Sequence, residues 1–190
     1  MLSKPPLNNH FIHMCKSKSI KCDGIGFLSP QQLGMEFENQ VHFILANNLQ
    51  VKNLLREKEI KRLYGANCSG IDHMFDIPFT NISICIQDKW TNSKSPISTI
   101  NHFMKCVQNI NVQTNRSIQG IFLSKLPITK PSLQAFEFDN KSQHKVNFIN
   151  ISLEIQEQEQ EQLIEKMLHY FHYTYKLWTY DFDGCIKMRI

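Results

Sequence analysis

No apolar run in the 190 residues approaches the roughly 18 needed to cross a bilayer, so a spanning helix is not expected. A secretory signal is not expected either, because Met1–Asn9 is followed by a mixed polar segment. The first 22 residues contain no acid and carry Lys4, Lys16, Lys18 and Lys21. They also lack the arginines of a transit peptide, so organelle import is not expected. The six cysteines, at 15, 22, 68, 85, 106 and 185, form no CxxC pair. That argues against a disulfide-stapled secreted domain and for reduced thiols inside a cell, in the cytoplasm or at the nucleoid. His10, His13, Cys15 and Cys22 have H-x2-H-x-C-x6-C spacing, which matches no common zinc finger; an irregular N-terminal arm is the expectation. The charge excess is small: a formal +4 permits nucleic-acid binding without demonstrating it. No internal repeat is evident.

What is present fits one globular domain. Hydrophobic residues make up 42% and charged residues 20%, over a length that supports a real core. Pro5-Pro6, Asn8-Asn9 and the glycines 24 and 26 break any periodicity, so residues 1–30 read as an extension. A helix starts near Pro30, with Leu33, Phe37, Val41, Ile44 and Leu45 on one stripe. Residues 51–64 read either as more helix or as helix and strand. From Asn81 to Trp90 the chain alternates: Ile82, Ile84 and Ile86 face one way, Ser83, Cys85 and Gln87 the other. Ser95-Pro96 reads as an N-cap followed by proline at the first helical position. Ile97, Ile100, Phe103, Met104, Val107 and Ile110 then form the buried face of a helix. Residues 120–124 read as a strand and Pro131–Phe136 as a short helix. Glu/Gln alternation favours a solvated helical segment after residue 154. Its aromatics, Tyr170, Phe171, Tyr173, Tyr175 and Trp178, could stack on bases with His169, His172 and Lys176 between them, although core packing is the commoner use. Asp183-Gly184 suggests a final hairpin turn. The fold class expected is α/β, a mixed central sheet flanked by helices. The expected divisions are 1–30 as N-terminal extension, 31–150 as core and 151–190 as a C-terminal helical, aromatic extension.

The strand 81–90 ends in Gln87-Asp88-Lys89, an unusual close for a run of isoleucines. Its period places Gln87 and Lys89 on one face and Asp88 on the isoleucine face, where a buried acid needs a partner. Taken singly, each residue has an ordinary reading: an Asp after Gly is a turn, and Gln-x-Lys at a strand end is solvated. Together they offer hard oxygen donors of the kind Mg2+ takes: the Asp72 carboxylate, the Gln87 amide oxygen and the Asp88 backbone carbonyl. Lys89 can orient or help deprotonate a water and offset charge on a phosphodiester as it is cleaved.

Gly70-Ile71-Asp72, with fourteen residues separating Asp72 from Gln87-Asp88-Lys89, resembles the PD-(D/E)XK restriction-endonuclease-like superfamily. The closest likeness is to its Mrr-type branch, in which Gln replaces the second acid. "MEFENQVHFILANNL" is similar to that family's opening helix, "ISTINHFMKCVQNI" to the helix after the QxK strand, and "QGIFLSKLPITKPSLQAFE" to the following strand and last helix. The likeness covers roughly residues 33–137. It implies an αβββαβ core and a Mg2+- or Mn2+-dependent DNA endonuclease of restriction, repair or mobile-element processing. Asp72 would be the main metal ligand, Gln87 the second ligand, Lys89 the catalytic lysine and Glu38 the helix acid. Glu36 and Asp76 are alternatives to Glu38 and Asp72. Lys94, Arg116, Lys125 and Lys130 would hold DNA beside the cleft, and a homodimer is possible. Asp88 departs from the small residue common between Gln and Lys, and the glycines leading to Asp72 are reduced to Gly65 and Gly70. The alternative is an inactive nucleic-acid-binding or structural partner-binding domain of the same fold.

Overall fold

A computed structural model describes residues 29–47, 49, 51–141, 145–153 and 159–175. The cluster His10, His13, Cys15 and Cys22, Trp178 with Lys176, and the turn expected at Asp183-Gly184 all lie outside these residues.

Helix α1 (Pro30–Asn47) begins with a reciprocal cap. The Ser29 hydroxyl accepts the Gln32 N–H at 3.2 Å, and the Gln32 amide oxygen accepts the Ser29 N–H at 2.8 Å. Its stripe buries Phe37, Val41, Ile44 and Leu45, as its periodicity predicts. The ambiguous stretch that follows resolves into strand β1 (Lys52–Arg56) and then helix α2 (Glu57–Tyr64). Next come β2 (His73–Asp76), β3 (Ile82–Lys89), α3 (Ile97–Thr114), β4 (Ser117–Ser124), α4 (Lys130–Lys141), β5 (Val146–Ser152) and α5 (Gln160–Tyr175). Pro96 itself, not Ser95, is the N-cap of α3, and α4 is longer than the short helix Pro131–Phe136 expected. None of the helices is long and apolar enough to cross a membrane, among the described residues.

The strands form one mixed sheet in the order β1-β2-β3-β4-β5. β1, β2 and β3 pair antiparallel; β3, β4 and β5 pair parallel, with α3 and α4 as the crossovers that parallel neighbours require. Helices cover both faces. Phe75, Ile84, Ile86, Ile121 and Leu123 pack under α1 and α5, whereas Met74, Cys85, Phe122 and Phe148 pack under α3 and its neighbours. Such double coverage explains why β3 is buried along nearly its whole length despite alternating residues. Ile100, Phe103 and Val107 of α3 are fully buried, and Asn101 and Lys105 are exposed.

One expected boundary differs. The break expected at 150 falls inside β5, a strand that sequence reading overlooked. The stretch after it is no appendage: Leu163, Ile164, Met167, Leu168 and Phe171 of α5 share one core with α1. Phe171 is fully buried, so the aromatic run is used mainly for packing, although Tyr173 stays exposed.

β4 and β5 approach so closely at Gly120 that a Cβ there would lie 2.5 Å from a Phe148 ring carbon. Phe148 in turn stacks on Phe136 and meets Phe103 edge-on, so it has little room to yield. Gly120→Ala is expected to destabilise the fold by about 1–3 kcal/mol, read as a lower urea midpoint with an unchanged m-value.

Candidate active site

The site lies at one end of the sheet, where β2 begins and β3 ends. Asp72 occupies the bend just before β2. Its N–H donates to the Ile86 carbonyl at 2.9 Å, although Ile86 is already the register partner of His73. Two residues therefore face one, a local slip of the kind that re-aims side chains. The Asp72 carboxylate then takes over part of the ladder: its Oδ2 accepts the Asp88 backbone N–H at 2.7 Å. This contact ties Asp72 directly to the Gln87-Asp88-Lys89 segment.

β3 alternates as its sequence requires. Gln87 is in register with Phe122, whose side chain packs under α3, and only 4% of it is exposed. Its amide oxygen is buried and has no hydrogen-bond partner. Lys89 is half-buried at the rim. Asp88 points to the isoleucine face and is buried there. The partner it needs is His73, whose Nε2 lies 2.8 Å from Asp88 Oδ2, with both side chains almost wholly enclosed. The contact acts on the imidazole through both charge and a side-chain hydrogen bond. A second imidazole, His42 of α1, packs against His73 with ring centroids 5.5 Å apart. His42 lies one turn beyond Glu38 and shares its helical face.

Acids outweigh bases here. Burial, followed by the charge of Asp88, pushes the Asp72 carboxyl up to about 7, and Glu38 adds to the rise; Lys89 and the Asp88 amide pull the other way. Burial alone would lower the His73 imidazole, yet the adjacent Asp88, with Asp72 and Glu38 beyond it, more than offsets this and holds it above its ordinary value. Burial, with the charges of Arg56 and His73, holds His42 below its ordinary value, against the pull of Glu59. Of the two α1 acids named from sequence, Glu38 is the one whose charge acts on Asp72 and His73.

The other residues singled out from sequence divide between the two ends of the sheet. Lys125 lies beside the site: its N–H donates to the Lys89 carbonyl at 3.0 Å, and its ammonium donates to Asn92 Oδ1 at 2.7 Å while resting 5.2 Å from the Trp90 ring centre. Lys94, in the loop after β3, and Lys130, at the start of α4, are exposed at the same end. Arg116 is not. It precedes β4 at the opposite end and pairs with Asp76 at 3.1 Å, because the parallel register sets Ser117 beside Ile82 and Ser124 beside Lys89. The alternative Asp76 is likewise committed there, accepting from Ser83 and Asn53 beside a cavity of about 300 Å³ that Tyr64 and Arg116 help line. Sequence reasoning missed His73 and His42. The available signal was Asp88 itself, an acid on an apolar face that required a basic partner.

No protein-family model, curated protein or solved structure matches the chain.

The raised Asp72 pKa has a consequence for stability. The folded state holds the proton more tightly than the unfolded chain, whose value is near 3.8. The stabilisation from protonation is therefore complete below about pH 3.8 and lost as pH rises through about 7. Asp72→Asn keeps an oxygen for the Asp88 N–H and removes the buried charge. It is expected to be more stable than the parent by about 1–3 kcal/mol at pH 8, the gap closing as pH falls to 4, as measured by denaturant titration at both pH values.

Proposed function

We propose that the chain is a divalent-metal-dependent DNA endonuclease of the restriction-endonuclease-like class, with Asp72, Gln87 and Lys89 at its centre. The observation that carries this reading is the 2.7 Å contact from the Asp88 N–H to Asp72 Oδ2, which draws a carboxylate and a Gln-x-Lys strand end to one place. The order α1-β1-β2-β3-α3-β4, with α2 inserted after β1, agrees with the αβββαβ order of that class.

The residues suit Mg2+ or Mn2+. Gln87 has a buried oxygen without a partner, and Asp88 and Glu38 both add negative charge around the Asp72 carboxylate. Among the described residues no three His, Cys, Asp or Glu side chains form a group able to hold a metal. A cation here would therefore rely on the Asp72 carboxylate, the Gln87 amide oxygen and the Asp88 backbone carbonyl, a hard-oxygen set. When bound, it would supply Lewis-acid activation of the scissile phosphodiester. Lys89, half-buried at the rim, offsets the charge that builds on the phosphate oxygens. Glu38 orients the attacking water from the α1 side. Lys94, Lys125 and Lys130 hold the DNA backbone, since phosphate contacts dominate such affinity.

The direct test is nicking of supercoiled plasmid with Mg2+ or Mn2+. Asp72→Ala and Lys89→Ala are each expected to reduce the rate by about a thousandfold or more. Folded protein that leaves the plasmid intact with either ion would count against the assignment.

The binding face makes a separate expectation. Lys125→Ala with Lys130→Ala should weaken DNA binding about equally across sequences. The pair should also flatten the log–log salt dependence by about one unit for each phosphate left unneutralised, whereas Arg116→Ala should leave the slope unchanged. Fluorescence anisotropy with a labelled duplex, titrated at several salt concentrations, measures both.

A further inference from the structure

Asp88 serves the site twice. Its backbone N–H holds Asp72, and its side chain faces the opposite way, into the layer under α1, where His73 meets it at 2.8 Å. His73, the first residue of β2, directly follows Asp72, so the entry to β2 grips β3 through two successive side chains. His42 extends the array to α1, against the His73 ring and one turn from Glu38. The Nδ1 atoms of both histidines are buried and without hydrogen-bond partners. Polar groups enclosed to this degree add little net stability, because desolvation consumes most of the attraction between them. α1, β3 and the entry to β2, which between them carry the residues of the site, are thus joined behind it by a buried polar contact.

We propose that His73, backed by His42, is a positioning residue: its contact with Asp88 fixes the Gln87-Asp88-Lys89 backbone against Asp72, so that the oxygens of both strands reach one divalent cation together. The proposal rests on the nuclease reading and assigns the two histidines a place in it. They touch neither DNA nor cation; they act through Asp88. Partners of metal-ligating groups at this remove alter metal affinity by about 10- to 100-fold when removed.

The test uses the full chain and Mn2+ alone, with binding followed by electron paramagnetic resonance and folding by thermal melting. The paired replacement His73→Leu with Asp88→Leu removes both charges and places a larger side chain at position 88. It is expected to fold, with a lower melting temperature than the parent, and to bind Mn2+ about 10- to 100-fold more weakly. His73→Gln keeps an N–H for Asp88 and is expected to bind nearly as the parent does. If the Leu/Leu protein folds and binds Mn2+ like the parent, the pair is merely structural and the proposal fails. If His73→Gln folds but loses tenfold or more in affinity, it also fails, and this second variant decides the matter should Leu/Leu not fold. Parent protein that binds no Mn2+ overturns the nuclease reading, and the positioning role with it.

Discussion

The hydrogen bond from the Asp88 amide to the Asp72 carboxylate is the constraint on which the rest of the site depends. It replaces a ladder bond at the point where the register of β2 slips, so the sheet stays joined while the carboxylate is held at its end. The arrangement is electrostatically uncomfortable, with two acids close together in a region largely closed to water. His73 relieves Asp88 from one face of the sheet, and Lys89 relieves Asp72 at the rim. Local discomfort tolerated by a well-packed surround is common where a fold keeps groups ready for chemistry.

Topology decides where those groups can act. β3 is the strand at which antiparallel neighbours give way to parallel ones. The loops that follow β3 and β4 therefore emerge on the same side, and they carry Lys94, Lys125 and the start of α4. In open α/β sheets, ligands bind outside the carboxyl ends of strands, and here that end bears Gln87, Lys89 and the lysines together. The same register removes Arg116 to the far end, where its charge is taken up by Asp76.

The sequence was legible where burial is periodic. α1, β3 and α3 each show their period without interference, so the faces of Phe37, Ile84 and Phe103 could be assigned from spacing alone. β5 was not legible: in "VNFINIS" Asn147 and Asn150, three residues apart, break the period-2 alternation of a strand. In the fold Asn150 accounts for itself by donating to the Phe122 carbonyl and the Ser124 hydroxyl, which no local pattern reports. Core packing was the commoner expectation for the aromatics of α5, and Leu163 to Phe171 do close a core; that α1 is the partner was not legible, because the two helices are far apart in the chain. That Gln87 and Lys89 share a face was legible from spacing, and Asp88 could be recognised as needing a partner. That the partner is His73 depends on pairing between strands, which spacing within one strand does not encode.

Trp90 follows Lys89 directly. One face of its environment is the Phe37 ring, 5.2 Å away between centres, and the Lys125 ammonium rests over the indole. A cation over an indole holds by the ring's quadrupole, an attraction weaker than that of a phosphate for the same ammonium. On the proposed function, a polyanion arriving at this end of the sheet would compete for Lys125 and uncover the ring. The indole would then serve as an optical gauge set into the rim, its emission registering occupancy of the surface independently of whether any bond is cut.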